Sequence, residues 1–481
     1  MKTSLQRSRF GGGARPRALA ALLVAVGGML AIHSPSAGAR AIFGVSEPDA
    51  WRHTPAHASP TEIAGLVDAI GASSHHLWVH WDTVEPNPPV NGVHTYHWGP
   101  YDQMYEADLA RGIKPLITVQ SSPRWSWDTR LTVIQWPEHP PTPEHYPEWR
   151  AFLAAMVQRY PEAIGVQIWN EPNLFWFWGN GDLLEPVAPR VYTELLKQSY
   201  TAIKAANPSM PVIGGALNNN AINANGNMSQ DDFARGMFES GAAGFMDAIS
   251  VHPYPGPYDL TNFEDSLNQL RAITAAYGFS EPIWITEVGV STTGPTPVTE
   301  ERQAEVMSEI YRRVMAMSDV AALFAHNLTE VTPDPRSEEM GYALVRGSGV
   351  GTGFPAKPAY TALQALATAP PPPPPSPPAG QSPPAGPSPP ATTPSPPRTL
   401  KVSRRGSGRG KVRSRPRRIS CGRDCFGRFA TGAVATLIHS SRRGSRFAGW
   451  YGCDSVIRGR CKVKMGGNRR VFANFRRSRQ P

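Results

Sequence analysis

Between residues 41 and 368, short apolar runs rich in β-branched residues alternate with longer stretches whose apolar positions recur at helical spacing. The pattern predicts strands over 41–45, 76–80, 114–119, 164–169, 212–216, 248–252, 283–286 and 322–326. Helices are predicted between most of them, over 60–70, 147–159, 188–206, 264–277 and 299–317. Repeated strand–helix units of this kind predict an α/β fold of the (β/α)8 TIM-barrel type. The main rival is a doubly wound open sheet, but the first strand is not followed by the glycine-rich phosphate loop of a dinucleotide fold.

Two of these strands carry candidate chemistry. Ile168-Trp169-Asn170-Glu171-Pro172-Asn173 and Ile283-Trp284-Ile285-Thr286-Glu287-Val288-Gly289 each run through β-branched and aromatic residues to a glutamate, then break at Pro or Gly. Buried parallel strands look like this when they deliver a carboxylate to the rim of a barrel. The strands are the fourth and seventh, so their glutamates should converge across one mouth. A lone glutamate at a strand end is usually a surface or salt-bridged group. A facing pair is what an acid–nucleophile mechanism requires.

Outside this region the pattern changes. Lys2, Arg7, Arg9, Arg15 and Arg17 precede an apolar run over 18–32 and then Ala37-Gly38-Ala39, which predicts a signal peptide over 1–39 and a secreted chain. A retained single-helix anchor is the alternative, although the run is short for a bilayer. Residues 369–397 are mostly Pro with Ser, Ala, Gly and Thr, which predicts an extended polyproline-like linker. It is either a tether that sets reach or a connection whose length has no consequence.

The formal charge of +10 conceals a division. Residues 41–368 carry 18 Lys/Arg against 36 Asp/Glu, a net of −18, whereas residues 398–481 carry 24 against 2, a net of +22. An acidic body and a basic tail must be read separately. All four cysteines, Cys421, Cys425, Cys453 and Cys461, lie in the tail, so the body depends on its hydrophobic core. Export favours disulfides, of which three pairings are open, over a zinc site.

With the W-N-E-P segment and the seventh-strand glutamate in place, residues 41–368 resemble clan A retaining glycoside hydrolases and are similar to families five and thirty-nine. The resemblance implies Glu171 as general acid/base, Glu287 as nucleophile, and Asn170 as a donor to the hydroxyl beside the anomeric carbon. It implies that Tyr254, in His252-Pro253-Tyr254, contacts the nucleophile. His252 and Tyr254 are each either a sugar contact or a support for the carboxylates. Many relatives place a tryptophan platform after strand eight, where this chain has His326 and Asn327. No cofactor or metal is implied.

Phe175-Trp176-Phe177-Trp178, Trp125 and Trp127 lie in loops after the fourth and third strands, and Trp81 ends the second. Aromatic rings stack on the C–H faces of sugars, so Trp81, Trp125, Trp176 and Trp178 are candidate walls of a carbohydrate cleft. Asn218, Asn219 and Asn220 read as an ordinary polar loop. The implied function is cleavage of O-glycosidic bonds in a polysaccharide or oligosaccharide. The alternatives are transfer of the glycosyl group to another sugar and a non-catalytic carbohydrate-binding or adhesion protein.

The tail, over about 401–475, resembles the divergent internalin-type B-repeat through Gly408-Arg409-Gly410-Lys411-Val412, Ile419-Ser420-Cys421-Gly422-Arg423-Asp424-Cys425, Gly444-Ser445-Arg446-Phe447-Ala448-Gly449-Trp450 and Val471-Phe472-Ala473-Asn474-Phe475. This implies a small all-β module over 398–481 with Cys421–Cys425 and Cys453–Cys461 bridges. Its charge favours anionic cell-wall or surface polymers; export argues against a dedicated nucleic-acid partner. A solvated cationic surface with no ligand is the alternative reading.

Overall fold

In the computed structural model, described residues are 40–47, 58–127, 138–178, 188–257, 259–330, 334, 336–347, 353–369, 397–405, 408–421, 425–430, 432–451, 453, 455–457, 459–465 and 469–477. The proposed signal peptide over 1–39 and nearly all of the Pro-rich segment lie outside these. The chain divides into two compact units, 1–372 and 373–481.

The first unit is a closed barrel of parallel strands in the order β1 Ile42–Ser46, β2 Ser74–His80, β3 Leu116–Gln120, β4 Gly165–Ile168, β5 Val212–Asn218, β6 Ala248–His252, β7 Ile283–Val288 and β8 Val320–His326, with β1 pairing β8 to close it. Strands β2, β3, β4, β6 and β7 are buried along their whole length. That burial on both faces is why most of them read as apolar runs instead of alternating ones, whereas β2 buries Ser74, His75, His76 and His80 as well. The helices are α1 Pro60–Ala69, α2 Trp81–Val84, α3 Gly99–Leu109, α4 Tyr146–Arg159, α5 Pro189–Ala206, α6 Gln230–Glu239, α7 Thr261–Ala276, α8 Glu300–Met315, α9 Glu338–Tyr342 and α10 Pro358–Ala367.

Local chemistry sets several helix ends. Ser59 caps α1 in a reciprocal box with Glu62, and proline occupies the first turn. Thr299 caps α8, whose first turn holds Glu300 and Glu301 and whose last turn holds Arg312 and Arg313, both favourable to the helix dipole. Helices α3 and α6 were not anticipated from the sequence.

The middle of the barrel is polar. His76 reaches Thr118 Oγ1 at 2.6 Å and the Thr286 carbonyl at 3.1 Å, while Gln167 donates to the same threonine at 2.8 Å. These groups are fully buried and largely paired, which makes the interior tolerable. Burial holds the His76 imidazole well below its ordinary pKa, and the neighbouring His252 adds to that effect.

One expected cleft wall belongs to the core instead. Trp81 is fully buried, stacked on Phe152 at 5.6 Å between ring centroids and in contact with Trp149 and Trp125, each at 5.3 Å. Its indole N–H donates to Glu85 Oε2 at 2.9 Å. The ring follows β2 immediately but starts α2, which turns it outward between the strands and α4. Trp178 is corrected in the same way: it is 2% exposed and its ring meets Trp169 and Tyr192 edge to face.

The second unit has two sheets. One has the order β11 Ser420–Cys421, β10 Gly410–Arg415, β13 Val434–Ser441, β16 Arg460–Lys464, β15 Ser455–Ile457; the other has β12 Cys425–Phe429, β9 Arg398–Arg405, β17 Arg469–Arg477, β14 Ser445–Tyr451. Leu400, Val402, Val412, Leu437, Val463 and Phe475, drawn from both sheets, fill a common core. Cys453 and Cys461 are bridged, which fits the implied pairing. Cys425 is also disulfide-bonded, while the side chain of Cys421, its implied partner, lies outside the described residues.

Replacing Trp81 by Ala removes a packed ring and strands buried Glu85. We expect a loss of about 3–5 kcal/mol in urea denaturation followed by the first unit's tryptophan emission. A loss below about 1 kcal/mol would contradict the core assignment.

Candidate active site

The two glutamates reach the mouth of the barrel by different local routes. Glu287 is the fifth residue of β7 and points inward from the strand itself. Glu171 lies beyond β4, in a turn where Trp169 (φ 70°) and Glu171 (φ 40°) adopt left-handed backbone that non-glycine residues rarely occupy. Such strain persists only where the surroundings hold it. Here the Trp169 indole donates to the Phe177 carbonyl, its ring packs on Trp178 at 5.1 Å, and Asn173 ties the turn to the Asn218 and Met228 carbonyls.

The result is a tight buried cluster. Glu171 is 6% exposed and Glu287 4%, and ligand atoms of Glu171, His252 and Glu287 all lie within 4.8 Å of one another. His252 Nδ1 sits 2.8 Å from Glu171 Oε1 and 3.4 Å from Glu287 Oε2, while its Nε2 faces Thr286 Oγ1 at 3.1 Å. These three side chains could present a carboxylate–imidazole–carboxylate set to a cation. A proton on Nδ1 already accounts for the 2.8 Å approach. His252 is wholly buried and lies against both carboxylates, the supporting one of its two expected roles.

Each carboxylate keeps one oxygen away from this bridge. Both donors to Glu171, His252 and the Asn218 amide at 2.8 Å, fall on Oε1, leaving Oε2 without a hydrogen bond among the described residues. On Glu287, the Tyr254 hydroxyl donates to Oε2 at 3.0 Å, and Oε1 is buried with no partner. Burial raises the Glu287 carboxyl above its ordinary pKa, opposed by the charges of His252 and His326 and by the Tyr254 hydrogen bond, while the charge of Glu171 adds to the rise. Burial and the nearby Glu287 push the Tyr254 phenol well above its ordinary range, so its proton stays in place. Asn170 is 1% exposed and its Oδ1 is buried without a partner.

Four contributors were not foreseen. Asn218, taken as a loop residue, ends β5 and donates to Glu171. Thr286 faces His252, and Tyr342 packs its ring on Tyr254 at 5.4 Å and on His326 at 5.5 Å. Glu339, on α9, reaches His326 Nε2 at 3.2 Å, while His326 Nδ1 stands 3.7 Å from Glu287 Oε2. A Glu-Glu pair at 338–339 reads in sequence as an acidic helix start, and nothing there marks one of the two as a partner of the barrel mouth.

The remaining aromatic candidates divide by exposure. Trp176 is 52% exposed, its ring edge to face with Phe175 at 6.0 Å. Trp125 is half-buried, its indole donating to the Glu85 carbonyl and its ring against Trp81 and His145. Trp127 is buried beneath the Arg124 guanidinium at 3.9 Å.

Burial alone would lower the His326 imidazole, but the charge of Glu287 together with the hydrogen bond and charge of Glu339 outweigh it and hold the ring up to about 9. The ring should therefore carry its proton through neutral pH. Glu339→Gln removes a group that favours the charged form and should lower the value by about one unit. Long-range ¹H–¹⁵N correlation of the His326 ring across pH 6–10 measures this, and an unchanged titration in the variant would rule out the coupling.

Comparison with known proteins bears on the same segment. Residues 158–349, which contain both glutamates, match the family model described as the glycosyl hydrolase catalytic core. A beta-xylosidase of Geobacillus stearothermophilus is 28% identical over 130 residues, covering 25% of each chain; the match thus spans a quarter of that relative's length. Among solved structures, a family 39 glycoside hydrolase from Bacteroides cellulosilyticus superposes with a TM-score of 0.51 at 19% identity, over 88% of this chain and 79% of the other. A monomeric beta-xylosidase from Caulobacter crescentus gives 0.51 at 21% identity, over 78% and 82%. These two likenesses are likenesses of fold.

Proposed function

We propose that the barrel is a retaining glycoside hydrolase and that the protein acts outside the cell. The observation that carries this reading is the pair of buried carboxylates with oxygens within 4.8 Å, one of them offering an unpartnered Oε1. Carboxyl groups about 5–5.5 Å apart suit direct attack on the anomeric carbon, whereas roughly 6.5–9.5 Å is needed to admit a water between them.

The chemistry follows from the free atoms. Glu287 Oε1 attacks the anomeric carbon as the glycosidic C–O bond breaks, and Glu171 Oε2 gives its proton to the departing oxygen. A glycosyl ester on Glu287 and a free alcohol result. Glu171, now a carboxylate, takes a proton from water, whose oxygen attacks the same carbon and displaces Glu287, so the configuration is retained. Tyr254 holds Glu287 Oε2 by a hydrogen bond, with His252 Nδ1 3.4 Å from the same oxygen, and so aims Oε1. Asn170, next to Glu171 in the chain and with a buried, unpartnered Oδ1, binds the neighbouring sugar hydroxyl in this reading.

The beta-xylosidase likeness makes aryl β-xylosides the first substrates to test, within a panel of aryl glycosides and plant and bacterial polysaccharides. Glu287→Gln should cost roughly 10⁴-fold or more in kcat, and Glu171→Gln roughly 10²–10⁴-fold. The first-formed anomer, read by NMR, should keep the substrate's configuration. An inverted first product would reject the retaining mechanism, and products longer than the substrate would identify glycosyl transfer. Binding with no turnover, indifferent to both substitutions, would favour the adhesion reading.

The pH profile gives an independent check. Glu287 must be ionised to attack, and its carboxyl lies above the ordinary 4.5, so kcat/KM should fall as pH drops through that raised value. Tyr254→Phe removes a donor that favours the carboxylate, and the acid limb should therefore move to higher pH. A shift to lower pH, or none, would show that this hydrogen bond does not tune the nucleophile.

A further inference from the structure

The second unit carries a charged surface that the barrel's chemistry does not use. On the outer face of its five-stranded sheet, Lys411, Arg413 and Arg415 are exposed along β10, alternating with buried Gly410, Val412 and Ser414. Arg460, Lys462 and Lys464 are exposed along β16, alternating with buried Cys461 and Val463. Strand β13 runs between them, and the register places Arg415 opposite Thr436 and Thr436 opposite Lys462, while Arg413 faces Ile438 and Lys411 faces Ser440. Residues directly opposite in an antiparallel ladder share a face. The face is therefore two rows of cations flanking an uncharged row of Val434, Thr436, Ile438 and Ser440.

Its dimensions follow from strand geometry. Neighbouring strands lie about 4.8 Å apart, so the cationic rows stand roughly 9.6 Å from each other, with a cation about every 6.8 Å along each row. The only two acidic residues of 398–481, Asp424 and Asp454, belong to none of these strands. Among the described residues, no carboxylate pairs with Lys411, Arg413, Arg415, Arg460 or Lys462. Concentrating like charge on one sheet face is unfavourable for the isolated unit and favourable for a polyanion laid along it.

We infer that this face binds a linear acidic polysaccharide, a polyuronate, running along β13. Pyranose rings present their C–H faces to the β-branched row Val434, Thr436 and Ile438, and their carboxylates project sideways to the two rows of cations, where Arg413 and Arg415 make charge-assisted hydrogen bonds. The described side chains of the face include no Phe, Tyr or Trp, the platforms on which single-stranded nucleic acid stacks and which anchor proteins in a lipid interface. This inference concerns the second unit alone and holds whatever the barrel cleaves.

The test uses the full chain with polygalacturonate and its methyl ester, by isothermal titration at about 50 mM and about 500 mM NaCl. Binding to the acid form, its loss at the higher salt, and no binding to the ester are expected. Arg413→Gln with Lys462→Gln, which keeps aliphatic stems but takes one charge from each row, should weaken binding about tenfold. Arg428→Gln with Arg476→Gln removes the same charge from exposed positions on the other sheet and should weaken it less than about twofold. Equal losses from the two pairs would mean net charge alone, and equal binding of the ester would mean that carboxylates are not read; either overturns the inference. So would tighter binding of oligo-dT or of phosphatidylserine vesicles at the same salt.

Discussion

Everything at the barrel mouth depends on keeping two carboxylates close together out of water. Were both ionised, carboxylate oxygens within 4.8 Å of each other would repel by at least about 3–4 kcal/mol at an effective dielectric of 20, before any cost of burial. His252 is the group that makes this arrangement tolerable, since one ring nitrogen approaches both carboxylates and the other is held by Thr286. Its fixed orientation in turn decides which oxygens are occupied and which are left free. The strained turn at Trp169 and Glu171 belongs to the same constraint, because a relaxed backbone after β4 would aim the Glu171 side chain elsewhere.

A second tier of support reaches the site from β8 and α9. The five-residue helix α9 is too short to hold itself in place. It is fixed through the Gly341 carbonyl, which accepts from Gln303 at 3.0 Å, Thr292 Oγ1 at 3.1 Å and Lys357 Nζ at 3.1 Å. A side chain at Gly341 would collide with Ser291 and Thr293, so the backbone can approach this closely only as glycine. Burial lowers the Lys357 ammonium to about 8, a sign of how much solvation was given up to tie this junction together. The gain is that Tyr342 and Glu339 stand in register with Tyr254 and His326, two contacts away from Glu287.

The sequence made the barrel legible because strands buried on both faces must be continuous apolar runs, and all eight emerged within a few residues of their observed limits. The glutamates were legible for the same reason, as charged residues where such runs break. Aromatic residues were not, because a tryptophan beside a strand end looks alike whether it faces a cleft or a helix. Trp81 and Trp178 went inward, while Trp176, from the same loop as Trp178, stayed exposed. Helix α3 begins at Gly-Pro and has weak apolar spacing, which concealed it. The His326–Glu339 contact spans loops whose geometry no local pattern encodes.

The division of charge gives the two units different electrostatic tasks. A barrel with a net charge of −18 repels polyanions, and at physiological salt its field fades over about 8 Å, so an acidic polymer meets that repulsion chiefly at close range. A second unit with a net charge of +22 reverses the sign on the same chain, so the overall +10 describes neither surface. The opposite charges therefore give the two units opposite responses to an acidic polymer, attraction at the cationic sheet and repulsion at the barrel.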